Sequence, residues 1–426
     1  MSVVGVKLRD MANRYRIYPD LEAERVMRDV HCAQSRYVWN LCVEQQSWWW
    51  PGRGSAPSAV ARQKQLAAAR QAEPWLAEGS SSVQQQALRD YDRALTAYFD
   101  PSNPARKPRF RSRKKSQGFV VRDVRTRRVS RHWGEVQVPK CGWVKFRWSR
   151  PLPQNPGMAR VTLDRAGRWH VSFPAAQPAV RRAPGPYPAV GIDRGVRTAM
   201  VTSDGQHYRA PRISDRDAAR YLALQRKLAR QEPGSRRREK TRRKMAAVTA
   251  KVTDRRRDWA EKISTRLVAG HDLIVFEKLN IPGMVKKPKP KPDPEREGAF
   301  LLNRARAKAG LSRGILASAW GILGTRTRQK AEATGVTVVF VDPRFTSQQC
   351  RKCGHIAPEN RESQPVFQCV ACGHADHADA NAADNVLARG LILIRDEGVP
   401  AHDPGHGNKR PRNTAPAGAD ITQDAA

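Results

Sequence analysis

Two C-x-x-C turns near the C-terminal end, Cys350–Cys353 and Cys369–Cys372, constrain this chain more than any other feature. Fifteen residues separate them. At that spacing two thiolates from each turn complete a tetrahedron around one Zn²⁺. A disulfide pair, or thiols with no common purpose, fits the spacing less well. Seven residues after Cys372 comes Asp379, which opens the run Asp379-Ala380-Asn381-Ala382-Ala383. A zinc ribbon that hands an acidic residue to the start of a helix points to a nuclease rather than a binding finger.

Charge narrows the partner. The chain has 78 Lys+Arg against 40 Asp+Glu, a formal net charge of +38. Such an excess repels itself in the compact state unless a polyanion neutralises it, and a phosphate backbone is the usual one. A merely solubilising surface accounts poorly for so skewed a sign. No apolar run approaches the ~20 residues of a spanning helix, and the first ten residues lack the apolar core of a signal peptide. No membrane partner is expected. Seven cysteines, four of them at zinc spacing, fit a reducing, cytoplasmic compartment. Cys32, Cys42 and Cys141 then read as buried apolar fillers or bystanders. A length of 426 residues predicts about two to three domains.

Along the chain, Tyr15 to Pro19 reads as an extended strand, and from Leu21 through Val26 and Val30 to Trp39 the pattern is helical. A second helix follows Ser80-Ser81-Ser82, where a serine is placed to cap it, and carries the stripe Leu88, Tyr91, Leu95, Tyr98. Trp48-Trp49-Trp50-Pro51-Gly52 suits base stacking or helix-end packing equally. Arg106 to Lys115 is a basic arm with one aromatic residue. Two strands with period-two alternation follow: Val144, Phe146, Trp148 and Trp169, Val171, Phe173, each with a basic opposite face. They predict a small antiparallel barrel or sheet with helices inserted into it. Five prolines between residues 174 and 188 mark a domain boundary. Beyond it, apolar strands at Ala189–Asp193, Val196–Thr202, Leu273–Glu277 and Val336–Asp342 alternate with helices, an α/β texture. Pro282–Gly298 reads as a mobile loop that excludes helix, and the polar tail after about Glu397 as disordered.

Three acids stand out in the α/β part. Asp193 and Glu277 each close an apolar strand, and Asp379 lies in the first turn of a helix. Taken singly, each is an ordinary turn residue, strand-end charge or helix-start carboxylate. Taken together, they suit two divalent cations roughly 3.5–4 Å apart, the arrangement for phosphodiester hydrolysis. Hard Mg²⁺ or Mn²⁺ matches carboxylates, and Zn²⁺ matches the thiolates, so two metal classes are expected at separate sites.

The motifs then carry a resemblance. GIDRGV at Gly191–Val196, RRRDWAEKISTRLVAGHDLIVFEKLNI from Arg255 and KAGLSRGILASAWGIL from Lys308 resemble the TnpB family. So do FTSQQCRKCGH from Phe345 and ADANAADNVL from Ala378. These are compact RNA-guided DNA nucleases of bacterial insertion sequences, often labelled transposases and related to type V CRISPR effectors. Tyr18-Pro19, RYVWN from Arg36, KPRF from Lys107 and WHVSF from Trp169 extend the resemblance N-terminally. It implies an α/β (α+β multidomain) protein: an RNase H-like RuvC nuclease domain (189–345 and 375–395) with an inserted zinc ribbon (346–374). Before it would come an antiparallel wedge β-barrel (1–25 and 109–180) carrying a helical recognition lobe (26–108), with a tail at 396–426. The family's catalytic and metal-binding acids fall on Asp193, Glu277 and Asp379, and its zinc ligands on Cys350, Cys353, Cys369 and Cys372. The implied partners are a guide RNA from the element's own end and a target DNA, base pairing reading most of the sequence. The implied location is the bacterial cytoplasm, on the nucleoid when DNA is bound.

Two departures, Arg194 where relatives are often aliphatic and His377-Ala378 before Asp379, remove no ligand. Arg236–Arg238, Arg242–Lys244 and Arg255–Arg257 are candidates to line a heteroduplex channel, or else a solvated helix face. Asp342, Asp376 and Asp384 read as surface or structural acids. Rival readings are a miniature type V CRISPR effector, a non-cleaving RNA-guided repressor and a zinc-ribbon RNA-binding protein without chemistry. A strand-transfer transposase would need a His-x-His pair that the chain lacks.

Overall fold

The computed structural model describes residues 12–397 apart from 50–51, 53–55, 115–116, 153–155, 175–179, 183–185, 297 and 364. The expected tail, the N-terminal decapeptide and Trp50-Pro51 therefore lie outside the described residues.

Strand β1 (Ala12–Tyr18) leads into helix α1 (Leu21–Arg25), whose first turn is capped by the Asp20 carboxylate accepting from the Ala23 N–H at 2.7 Å. The helix runs on through a π-helical stretch, Val26–His31, into α2 (Cys32–Ser47), so the expected helix is interrupted in register and extends past Trp39. Helices α3 (Ala59–Ala72), α4 (Pro74–Ala77) and α5 (Ser81–Phe99) complete this part. Val38, Trp39 and Cys42 pack on Ala87, Leu88 and Tyr91, so the first half of the α5 stripe is core; Leu95 is partly buried against it, and Tyr98 packs on Phe99 outside that cluster. Ser80 does not cap α5: its hydroxyl pairs with that of Ser82 at 2.9 Å instead. The basic arm is anchored. Asn40 exchanges two hydrogen bonds with the Arg111 backbone, and the Arg111 guanidinium lies 3.3 Å from the centre of the Trp39 ring.

Strands β2 (Gly118–Arg122), β3 (Thr126–Arg128), β4 (Trp133–Val138), β5 (Gly142–Arg147), β6 (Met158–Leu163) and β7 (Trp169–Pro174) join β1. They form a seven-stranded antiparallel sheet in the order β2-β6-β7-β1-β5-β4-β3. β1 serves twice, pairing with β7 through Ala12–Arg16 and with β5 through Ile17–Tyr18. Tyr15, Phe146 and Phe173 meet in one core, with ring centroids 5.6 to 6.2 Å apart. Among the described residues β2 and β3 end the ladder, and no pairing between them closes a barrel. Trp148 falls just outside β5, stacked on Phe146. Cys32 and Cys42 are buried fillers; Cys141 is only partly covered.

The second sheet contains β8 (Ala189–Asp193), β9 (Met200–Thr202), β10 (His207–Tyr208), β11 (Leu273–Glu277) and β14 (Thr337–Val341) in the order β10-β9-β8-β11-β14. β8, β11 and β14 run parallel; β9 and β10 are antiparallel. Helices α6 (Asp215–Ala229) and α7 (Arg236–Gly270) precede β11. Between β11 and β14 come α8 (Ile281–Met284), the hairpin of β12 (Lys291–Pro292) and β13 (Phe300–Leu301), then α9 (Ala305–Ala317) and α10 (Trp320–Glu332). Every residue of β11 is buried, the mark of a parallel strand covered on both faces.

Two expectations are corrected. The strand at Val196–Thr202 shrinks to Met200–Thr202, because the Gly195 turn is so tight that a Cβ there would stand 2.7 Å from the Thr198 carbonyl oxygen. Pro282–Gly298 is not all loop. Pro282 sits in the first turn of α8, where its missing N–H is not needed, and Asn280 caps Gly283 at 3.0 Å. Hairpin β12–β13 orders part of the chain between α8 and α9.

The last elements are the small hairpin of β15 (Val366–Gln368) and β16 (Ala375–His377), then α11 (Ala378–Glu397). α11 covers the sheet face opposite α7 and α10. Val386, Leu387 and Ile394 meet Leu273, Val275 and Val339, while α7 and α10 cover Val190, Ile192, Ile274 and Phe276. No helix of the described residues is long and apolar enough to cross a membrane.

Candidate active site and metal centre

Strand alternation decides where the acids point. Val190 and Ile192 of β8, and Ile274 and Phe276 of β11, face α7 and α10. Successive side chains on a strand take opposite faces. Asp193 and Glu277 are therefore on the α11 side, where Asp379 occupies the first turn of that helix. Gly191 permits the approach. A Cβ there would lie 2.2 Å from the Ala383 carbonyl oxygen and 2.5 Å from the Leu387 nitrogen, so the bare backbone is what lets α11 close on β8.

The three carboxylates line one cleft of about 270 Å³, with Arg194, Thr346 and Arg361 also in its wall. Glu277 is 5% exposed. Its Oε1 accepts from the Thr346 hydroxyl at 3.2 Å and its Oε2 from the Arg194 N–H at 3.4 Å. Arg361, from the segment between the two cysteine turns, stands 3.6 Å from Asp379 Oδ1. His377 accepts the Asp379 N–H on Nδ1 at 3.2 Å, capping α11. Burial, then the like charges of Glu277 and Asp379, push the Asp193 carboxyl up to about 8 against the pull of Arg361 and Arg194. Burial likewise raises Glu277, opposed by Arg194 and the Thr346 hydroxyl. A buried Asp193 carboxyl that holds on to its proton at neutral pH beside two further acids marks a donor set short of positive charge, which suits hard divalent cations.

The cysteines form a separate centre. The sulfurs of Cys350, Cys353, Cys369 and Cys372 lie within 4.8 Å of one another. The two turns repeat one geometry. Cys350 O accepts from the Gly354 N–H at 2.9 Å, and Cys369 O from the Gly373 N–H at 2.9 Å. Gly354 and Gly373 take φ of 78° and 69°, the left-handed region where glycine is at ease. Cross-turn S···S distances of 3.5 and 3.8 Å are far beyond a covalent bond. Although burial raises the Cys369 thiol, N–H groups of Cys372 and Ala371 overcome it and bring it down to about 6. A compact set of four sulfurs with backbone donors ready for thiolate fits Zn²⁺.

α11 ties the two centres together. The fully buried Asn381 accepts the Arg351 N–H at 3.0 Å and donates to Gln349 O at 2.8 Å, joining the first knuckle to the helix that carries Asp379. Asn385 adds a bond to Thr346 O at 2.9 Å. Asp376 and Asp384 both pair with Arg351, and Asp342 with Arg344, as structural acids. A larger hollow of about 370 Å³ beside Arg351, Lys352 and Asp384 contains none of the three acids. Motif reading did not single out Arg361, which lies in no quoted motif, or Thr346, which lies inside the stretch from Phe345 without marking itself there; both reach the cleft only by folding. Of the basic residues on α7, Arg236, Arg237, Arg242, Arg243, Lys244, Arg255 and Arg257 are exposed. Arg238 and Arg256 instead bond backbone carbonyls of neighbouring segments.

Known proteins share long stretches of this sequence. The family model described as a probable transposase (OrfB of IS605) matches residues 172–287, and that of the Cas12f1-like TNB domain matches 320–386. A Streptomyces pristinaespiralis protein named "Putative RNA-guided DNA endonuclease" is 33% identical over 389 residues, covering 89% of each chain. InsQ of Escherichia coli K12, which has the same name, is 32% identical over 322 residues, 75% of this chain and 77% of that one. A Cas12f1 endodeoxyribonuclease of Sulfoacidibacillus thermotolerans is 49% identical over 70 residues, 16% of this chain and 17% of its own. With such identity along nearly its whole length, the chain belongs to the TnpB family, the transposon-encoded relatives of Cas12f1.

Proposed function

We propose that the protein is an RNA-guided DNA endonuclease that hydrolyses phosphodiester bonds in the cleft of Asp193, Glu277 and Asp379. One observation carries the reading. Acids 84 and 102 residues apart in sequence share one cleft, where the charges of Glu277 and Asp379 add to burial in raising the Asp193 carboxyl. Two Mg²⁺ or Mn²⁺ ions held there would activate a water and stabilise the leaving oxygen. The chain's own part is to present the three carboxylates from rigid strand ends and a helix start. Thr346 and the Arg194 N–H orient Glu277, and Arg361 balances Asp379. One structural Zn²⁺ on the four cysteines would hold the ribbon against α11. A non-cleaving repressor leaves the acid cluster without a use.

The strand order, with three antiparallel strands followed by two added in parallel, supports an RNase H-like RuvC unit at 189–345 and 375–395. On this reading 346–374 is the zinc ribbon, 1–25 and 109–180 the wedge, and 26–108 the recognition lobe. The relatives' name supports guide RNA and target DNA as partners, and the net charge of +38 supplies the attraction.

The test is cleavage of a plasmid with a matched target in Mg²⁺, beside gel-shift binding by the same ribonucleoprotein. Asp193→Ala, Glu277→Ala and Asp379→Ala should each lower cleavage by about 10³-fold or more, because residues acting as a unit fail together. RNA-guided binding should persist, since it rests on phosphate contacts and base pairing elsewhere. Wild-type cleavage in any of the three would show that acid to be misassigned.

A further inference from the structure

The ladder between the two central strands stops one residue before the acids. β8 and β11 pair from Ala189↔Leu273 to Ile192↔Phe276. Beyond that, Asp193 pairs with Val201 of β9 and Glu277 with Val341 of β14. The two strand ends that carry the acids are thus each held by an outer neighbour and not by each other. The separation of the carboxylates, on which shared metal binding depends, needs another fastening.

Arg194 supplies it. The residue is 9% exposed, and its guanidinium donates through Nη2 to the Glu277 carbonyl oxygen across the gap. Its backbone N–H donates to the Glu277 carboxylate at 3.4 Å, and its guanidinium lies over the Phe276 ring, 5.6 Å from the centroid. The side chain rooted beside Asp193 therefore holds the main chain and the preceding ring of the opposite strand, while the backbone N–H of the same residue holds the carboxylate. Its Nε is buried and without a hydrogen-bond partner. The anchor is the Glu277 carbonyl and not its carboxylate, so the contact need not break when a cation arrives.

We propose that Arg194 is a positioning residue, a clasp across the open ends of β8 and β11 that sets the Asp193–Glu277 pair for a divalent cation. This rests on the cleft being the metal site proposed above. The sign of the effect separates a clasp from simple charge. Removing a cation beside carboxylates should by charge alone tighten metal binding. Removing a clasp should weaken it, and partners outside the ligand shell typically matter by about 10–100-fold in affinity.

The experiment uses the full chain with its RNA and titrates Mn²⁺, read by electron paramagnetic resonance, with Asp193→Ala as reference. Arg194→Leu is expected to weaken Mn²⁺ binding about tenfold. The half-saturating Mg²⁺ for cleavage should rise by a similar factor, with little change in rate at saturation. Zinc content and RNA binding should stay as in the wild type. Arg194→Lys keeps the charge without the planar fork, and should weaken binding by a few-fold. If Arg194→Leu does not fold, Arg194→Lys carries the test alone. Unchanged or tighter Mn²⁺ binding in the folded variants overturns the clasp. If Asp193→Ala also binds Mn²⁺ normally, the cleft itself is misassigned, and the two failures are told apart.

Discussion

The two candidate metal centres joined by α11 are built in opposite ways. Four thiols come from two short turns within 23 residues, each turn closed by its own backbone hydrogen bonds and a left-handed glycine. Three carboxylates come from segments spread over 187 residues, and only contacts between distant segments bring them together. The cysteine site carries its geometry in its turns. The carboxylate site exists only once β8, β11 and α11 have packed, and it resists assembly because its charges repel. A soft, closed centre can therefore serve as a fastener, while the hard, open and frustrated one is suited to the cation-dependent hydrolysis proposed above.

The largest expected effect breaks the fastener. Cys353→Ser should abolish stoichiometric zinc and melt the ribbon, since a small site draws much of its folding energy from the metal. Through Asn381 it should also loosen the start of α11 and lower cleavage by more than about 10²-fold, a consequence of misplacing a reacting group. Metal analysis that finds full zinc in this variant would disprove the ligand assignment.

The converse variant should damage the cleft and spare the zinc. Gly191→Ala places a methyl 2.2 Å from the Ala383 carbonyl oxygen, so α11 must move. A loss of about 1–3 kcal/mol in stability is expected from the overpacking, with cleavage down about 10²-fold. Normal cleavage with normal zinc would mean that the helix start tolerates the shift, and that the two centres are less separable than they look.

A pH titration sharpens the comparison further. The Asp193 carboxyl, pushed up to about 8, keeps its proton in the metal-free fold where an unfolded chain would have lost it. The cleft therefore costs stability increasingly as pH climbs from the ordinary carboxylate range towards 8, and cation binding must expel the proton below that value. Half-saturating Mg²⁺ should rise about tenfold for each unit that pH falls below 8, and level off above it. A flat response from pH 6 to 8 would mean that Asp193 is already ionised. The smallest effect expected is that of Thr346→Val, which takes one donor from the buried Glu277 carboxylate. A loss of about 1 kcal/mol, or a few-fold in cleavage at limiting Mg²⁺, is the predicted size.

Much of this was legible in residues alone, for a reason that the two centres make plain. Zinc knuckles are local, so spacing is enough to find them. The strand ends at Asp193 and Glu277 were readable because apolar runs stop abruptly at a charge, and their kinship with Asp379 came from the resemblance of the motifs around all three. The strand at Val196–Thr202 was overread because alternation cannot register the tight Gly195 turn. The α8 turn was missed because proline excludes helix interiors and not helix starts.

Spacing, summed charge and motif were enough to pick out the four cysteines, a polyanionic partner and the three acids, since each is a property of the chain before it folds. Packing alone settled that Gly191 admits α11, that Arg361 and Thr346 reach the cleft, and that Arg194 bridges strand ends which no ladder joins. Those are contacts between segments distant in the chain. Their existence depends on which faces pack and how closely, a quantity that no local pattern of residues encodes.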